Sequence, residues 1–298
     1  MLLFDRARRP SRKNIAVTSP TSSVQEKDVE DVVPPPQAAP ASPIAPTREA
    51  EVFGAGRAIG IFVAYLAAQL GAGVIVFVGV AVGLVVHGSG AGADAGDIAE
   101  RMPEIATLPS AIAGNLVAAW IVFRMTRRSL PGPLRAGALA SIGWSRSSKS
   151  SVLRAAAVGF VLFLFYAFVL IRWFPRPPNQ APGPLAKAAM VPGWPRFVWV
   201  FLVLTAPPIE EFLFRGVLLT GFAKSWGRTV SAILVTVIFV SLHLPEVGRY
   251  WPALCAISSV AVLLLAIRLR SGSLAPAVAM HTAYNFGLAV MALLSFRR

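Results

Sequence analysis

From residue 58 onward the chain is built of long uncharged apolar runs separated by short basic or turn-rich stretches. The runs fall at about 58–86, 105–123, 152–171, 197–223, 229–244, 251–268 and 274–295. A helix needs roughly 20 apolar residues to cross a bilayer. In hydrocarbon it is also the element that satisfies every backbone N–H and C=O within one segment. The pattern therefore predicts an all-α polytopic transmembrane bundle of about seven or eight spans. The run at 229–244 is short and ends at His243, Pro245 and Glu246, so it is expected to tilt little or to draw on its flanks.

Composition agrees with that pattern. The 298 residues are 55% hydrophobic and 14% charged, with a mean hydropathy of +0.64, against about 25% charged residues in a soluble domain. The single cysteine, Cys255, sits in the run ALCAISSVAVLLLAI (253–267). One cysteine excludes a disulfide framework and a cysteine-based metal site, and its surroundings predict a buried, inert thiol.

The net charge of +14 is distributed as membrane topology and not as a nucleic-acid footprint. Arg124, Arg127, Arg128, Arg135, Arg146, Lys149 and Arg154 lie between the second and third runs. Lys224 with Arg228, and Arg268 with Arg270, fall on the same side if the spans alternate, as do Arg6, Arg8, Arg9, Arg12 and Lys13. The opposite side receives Asp94, Asp97, Glu100 and Glu104. This is the positive-inside distribution, and it predicts a cytoplasmic N-terminus and contact with anionic lipid headgroups. Arg297 and Arg298 fit it poorly, because an odd span count puts them outside. Nucleic acid is not an expected partner, and the span-dense style points to a bacterial cytoplasmic membrane.

Three regions follow. Residues 1–50 include PPPQAAPASPIAP (34–46), which lacks a periodic apolar face and predicts a disordered tail. Residues 51–196 hold the N-terminal transmembrane helices. Residues 197–298 hold the segment that carries the candidate chemistry.

That chemistry starts in PPIEEFLFRG (207–216), where three ionisable side chains interrupt an apolar run. Each costs about 2.5–3.5 kcal/mol near mid-bilayer on insertion scales, so pairing or a polar cavity is required. Glu211 and Arg215 are four apart with the acid first, the favourable order for a helical ion pair. Glu210 points about 100° away and is left for another task. Pro207 and Pro208 disfavour a helix interior and predict a break just before Ile209. His87, beside GSGAG, reads as a boundary residue. Two later spans repeat a four-residue spacing: Phe239 with His243, and His281 with Asn285. Imidazole and amide groups of this kind are commonly helix–helix hydrogen bonds. Converging with a carboxylate in a cavity, they can activate water and stabilise an oxyanion.

The ordered set EExxxR, FxxxH and HxxxN, with Gly216 after the arginine and Ser273-Leu274 before His281, resembles the CPBP family. These are the CAAX-protease and bacteriocin-processing proteins, also called Abi. The resemblance covers roughly residues 197–296. It implies an intramembrane endopeptidase acting on a membrane-associated or lipidated, CAAX-like peptide. Glu210 would be general base on a water that His243 helps to hold, and His281 and Asn285 would polarise the carbonyl. Glu211, Arg215 and Phe239 would support them. The preferred expectation is no cofactor; the alternative is a zinc ion on Glu210, His243 and His281. A non-proteolytic interaction or bacteriocin-immunity protein, and a transporter using its buried charges as a relay, are the readings from other classes.

Overall fold

A computed structural model describes residues 52–91, 95–130, 138–180, 187, 190 and 193–294. The expected tail at 1–50 and the outlying Arg297 and Arg298 fall outside the described residues. Among the described residues no strand occurs, and the helices run α1 (Ala55–Ala91), α2 (Ala95–Ser129), α3 (Ala138–Ser141), α4 (Lys149–Phe165), α5 (Trp194–Glu211), α6 (Leu219–Val247), α7 (Trp251–Ser271) and α8 (Leu274–Leu294). The α4 helix continues through a π-helical turn at Tyr166–Leu170, and a second π-helical segment, Phe212–Leu218, joins α5 to α6.

Among the described residues six helical stretches are long and apolar enough to cross a membrane, and one of them, Trp194–Val247, is 54 residues long. Within it Gly227 leaves helical geometry at φ 79°, ψ 167°, a conformation glycine adopts without penalty. This break separates the runs 197–223 and 229–244, which the sequence pattern treats as two spans. Burial is inverted relative to a water-soluble domain. Arg215, Glu211 and His281 are buried, whereas Val74, Ile75, Phe168, Val237 and Val262 are exposed. An apolar exterior around ionisable residues is the arrangement that a lipid solvent selects.

Helices α1 and α2 form an antiparallel pair, shown by Arg57 Nε donating to Ser129 Oγ (3.0 Å) and, higher up, Gln69 Nε2 donating to Asn115 Oδ1 (2.8 Å). Both pack on the π-helical segment through one core containing Ile61, Val122, Leu213, Val217 and Phe239. Helices α4 and α8 start together, with Leu274 N donating to Gly143 O (2.8 Å) and Ser273 Oγ to Ser145 O (2.8 Å). They stay in contact because Gly159 and Gly287 carry no side chain: a Cβ on Gly159 would lie 2.0 Å from Met280 O, and one on Gly287 2.2 Å from the Phe163 ring. Small residues are the usual means of close helix approach in membranes.

Two sequence expectations are corrected. The prolines do not break the chain, because α5 runs through Pro207 and Pro208 to Glu211. Proline at 207 removes the donor that Val203 O would otherwise receive, and Asn285 Nδ2 from α8 supplies it at 2.8 Å. A neighbouring helix thus repairs the ladder, which is how membrane helices tolerate interior prolines. The second correction concerns Cys255, which is exposed. The α7 helix is apolar on every face, so its residue pattern does not distinguish the core-facing side from the outer one.

Candidate active site

The site is assembled from the end of α5, the π-helical segment and the first half of α8. Glu211 and Arg215 are fully buried, and Arg215 Nη1 meets Glu211 Oε1 at 3.1 Å. The second guanidinium nitrogen, Nη2, donates to Ala261 O on α7 (3.2 Å), and the guanidinium carbon lies 4.3 Å from the centroid of the Phe239 ring. Phe239 stands edge-on to Phe214 as well, at 5.1 Å. The expected roles of Glu211, Arg215 and Phe239 as a supporting group therefore have a geometry: one ion pair, capped by an aromatic face and tied to a carbonyl. Arg268, which sequence reasoning treated only as topology, braces this unit from below. Its Nε donates to Arg215 O (3.3 Å) and its Nη2 to Ile142 O (3.3 Å).

His281 reaches across from α8 and touches both glutamates. Its Nδ1 donates to Glu211 Oε1 at 2.9 Å, and its Nε2 lies 3.8 Å from Glu210 Oε2. The shared oxygen fixes the direction of the Nδ1 bond. A carboxylate already paired with Arg215 only accepts, so Nδ1 donates in this bond and Nε2 is left facing Glu210. The 3.8 Å separation exceeds a direct hydrogen bond and suits one small molecule touching both groups. Glu210 keeps 20% of its side chain exposed while Glu211 has none. The adjacent glutamates thus differ in access, Glu211 walled in and Glu210 reachable.

Asn285 lies one turn beyond His281 and hangs on the same helix, through its bond to Val203 O. One of its two amide hydrogens is spent there and the other remains to donate. His243 is the outlier. Its Nδ1 donates to Phe239 O (2.8 Å), its ring packs on the Phe239 ring at 4.6 Å, and Phe239 in turn lies 6.0 Å from the His281 ring. It joins the site through Phe239 and not through a hydrogen bond to Glu210. Among the described residues no three His, Cys, Asp or Glu side chains gather closely enough to hold a metal ion. The alternative ligand set of Glu210, His243 and His281 is therefore not preassembled.

A carboxylate facing a histidine whose other nitrogen rests on a buried, arginine-paired carboxylate is chemically able to activate a water, and here it is held within a membrane-type bundle. Residues 192–287 match the family model described as type II CAAX prenyl endopeptidase Rce1-like. The match spans α5 to α8 and contains every candidate residue above. The Rce1-like segment thus coincides with the EExxxR, FxxxH and HxxxN set, and protease chemistry in a membrane-spanning helical chain is the general activity its family supports. No curated protein and no solved structure matches the chain. Helices α1 and α2, outside the Rce1-like segment, add polar groups that sequence reasoning passed over. Gln69 and Asn115 were legible there as the amides interrupting the runs YLAAQL and GNLV.

Proposed function

We propose that this protein is an intramembrane endopeptidase that hydrolyses a peptide bond of a membrane-associated or lipidated, CAAX-like substrate. The observation that carries the reading is the facing pair Glu210 Oε2 and His281 Nε2, 3.8 Å apart, with the Glu211–Arg215 ion pair locked behind it. In this reading a water is held between the two groups. Glu210 takes one of its protons while the oxygen attacks the carbonyl carbon of the scissile bond. The resulting oxyanion receives the spare N–H of Asn285. Collapse breaks the C–N bond, and the proton on Glu210 passes to the departing amine, leaving a carboxylic acid and an amine. His281 orients the water through Nε2, and Glu211 holds the imidazole ring in that orientation through Nδ1. His243 stands at the edge of the site, packed on the buried Phe239 ring. The reaction runs without a metal in this scheme. The positive-inside charge distribution supports a cytoplasmic N-terminus.

The test uses the purified full chain in liposomes and a quenched fluorescent peptide bearing a prenylated CAAX cysteine. Glu210→Gln should lower kcat by about 10²–10⁴-fold, the contribution of a positioned general base, with unfolding temperature retained. Cleavage by the variant at the unmutated rate would remove Glu210 as base. No cleavage by the unmutated protein of this peptide, or of a peptide library presented in the same liposomes, would favour the interaction-protein reading.

A further inference from the structure

A second polar constellation sits beside this site, on α1 and α2. Gln69 Nε2 donates to Tyr65 Oη (2.8 Å) and to Asn115 Oδ1 (2.8 Å). An amide nitrogen has two hydrogens, so both are spent inside the trio. What remains for another molecule is complementary: Gln69 Oε1 as acceptor, the two Asn115 Nδ2 hydrogens as donors, and the Tyr65 hydroxyl hydrogen. The three side chains lie in stretches that are otherwise apolar, where polar groups are rare and tend to be functional.

The trio is placed towards the catalytic groups. Tyr65 joins the core cluster that contains Ile209, next to Glu210 in the chain, together with Leu213 and Phe239. On α2, Leu108 with Ala111 and Ile112 packs against Leu202, Val198 and Trp199 of α5. One turn further along the same face comes Asn115. Beyond it, Ala118 and Val122 join the core that contains Ile209 and Leu213. Asn115 therefore stands at the level of α5 between Leu202 and Ile209, where Val203 holds Asn285 on another side. Close approach of the two helices is built in: a Cβ on Gly114 would lie 3.0 Å from Gln69 O and 3.3 Å from Gln69 Oε1.

We infer that Gln69 and Asn115 form a subsite that binds one peptide unit of an extended substrate, Gln69 Oε1 accepting its N–H and Asn115 Nδ2 donating to its C=O. An acceptor and a donor held side by side are the complement of a peptide group. In a helix those groups are already bonded internally, so the subsite selects substrate that is unwound next to the scissile bond. The inference rests on the endopeptidase reading and adds its substrate conformation.

The experiment is an ester scan on the unmutated full chain in liposomes, with the prenylated CAAX peptide as parent. Each analogue replaces one backbone N–H by oxygen. One position should raise KM by about tenfold, the worth of one hydrogen bond of about 1.4 kcal/mol, with kcat within about twofold. In Gln69→Leu the amide parent should acquire the raised KM and the ester penalty at that position should vanish. Asn115→Leu should raise KM similarly, and Asn115→Gln should recover it. Uniform KM across the scan, or an ester penalty that persists in Gln69→Leu, overturns the subsite. If Gln69→Leu does not fold, the scan on the unmutated chain still decides, since it requires no variant. Failure to cleave any peptide overturns the endopeptidase reading and this inference with it. Glu210-dependent cleavage without an ester effect overturns the subsite alone.

Discussion

Removing the Arg215 cation tests whether the buried ion pair is structural, catalytic or both. Arg215 and Glu211 have no exposed side-chain surface, and the pair distance is 3.1 Å. In Arg215→Met the Glu211 carboxylate keeps only the His281 Nδ1 donor, while Ala261 O loses the guanidinium donor at 3.2 Å. Breaking a buried pair by deleting one partner costs about 3–5 kcal/mol. At roughly 2–4 °C per kcal/mol for chains of 150–250 residues, the unfolding temperature should fall by roughly 6–20 °C. Adding Glu211→Gln removes the stranded charge, and a neutral replacement of a buried pair is often close to neutral in stability. The double variant should therefore recover most of the loss. It should not recover cleavage, because Nδ1 of His281 then faces a neutral amide and the orientation of Nε2 is no longer held by an anion; activity should stay at least about 10²-fold down. Thermal unfolding in detergent, followed by circular dichroism and paired with the liposome cleavage assay, reads both quantities. A loss below about 1 kcal/mol in Arg215→Met, the size of an exposed pair, would refute the reasoning. So would a double variant no more stable than the single one.

Asn285→Ala should lose the oxyanion donor and orphan Val203 O, giving about 10²–10³-fold lower kcat and about 1–3 kcal/mol lower stability in denaturant titration. Gly159→Ala places a methyl where Met280 O now sits, 2.0 Å away. It should cost about 1–3 kcal/mol by overpacking and lower kcat more than it raises KM, since Met280 adjoins His281. Incubation with 1,10-phenanthroline should leave the cleavage rate unchanged. Inhibition reversed by added zinc would replace the metal-free scheme.

What the sequence revealed depended on the range of the interaction concerned. The spans follow from run length, and the Glu211–Arg215 pair follows from four-residue spacing on one helix, so both were readable without coordinates. The contact of His281 with Glu211 joins residues 70 apart in the chain and exists only because α8 packs on α5. The prolines were misread for the same reason: local rules predict a break, and a side chain 82 residues away from Val203 cancels it. Cys255 was misplaced because α7 is apolar on all sides. Gln69 and Asn115 stood in plain view as polar exceptions within their runs. Their meaning came only from the bond between them, since a lone amide in a membrane helix is ordinarily helix-packing glue.

The bond from Asn285 to Val203 O has a bearing on how the site keeps its alignment. Pro207 leaves that carbonyl with no donor of its own helix, and a single amide from α8 answers it. A small slide of α8 along α5 would strand the carbonyl in hydrocarbon, where an unmet polar group costs several kcal/mol. Register between α5 and α8 is thus enforced by a penalty on error more than by an attraction at the right place. The size of that penalty belongs to the surrounding solvent. Lipid makes it large, whereas water entering a detergent micelle would answer the carbonyl and loosen the alignment without breaking any contact of the protein core.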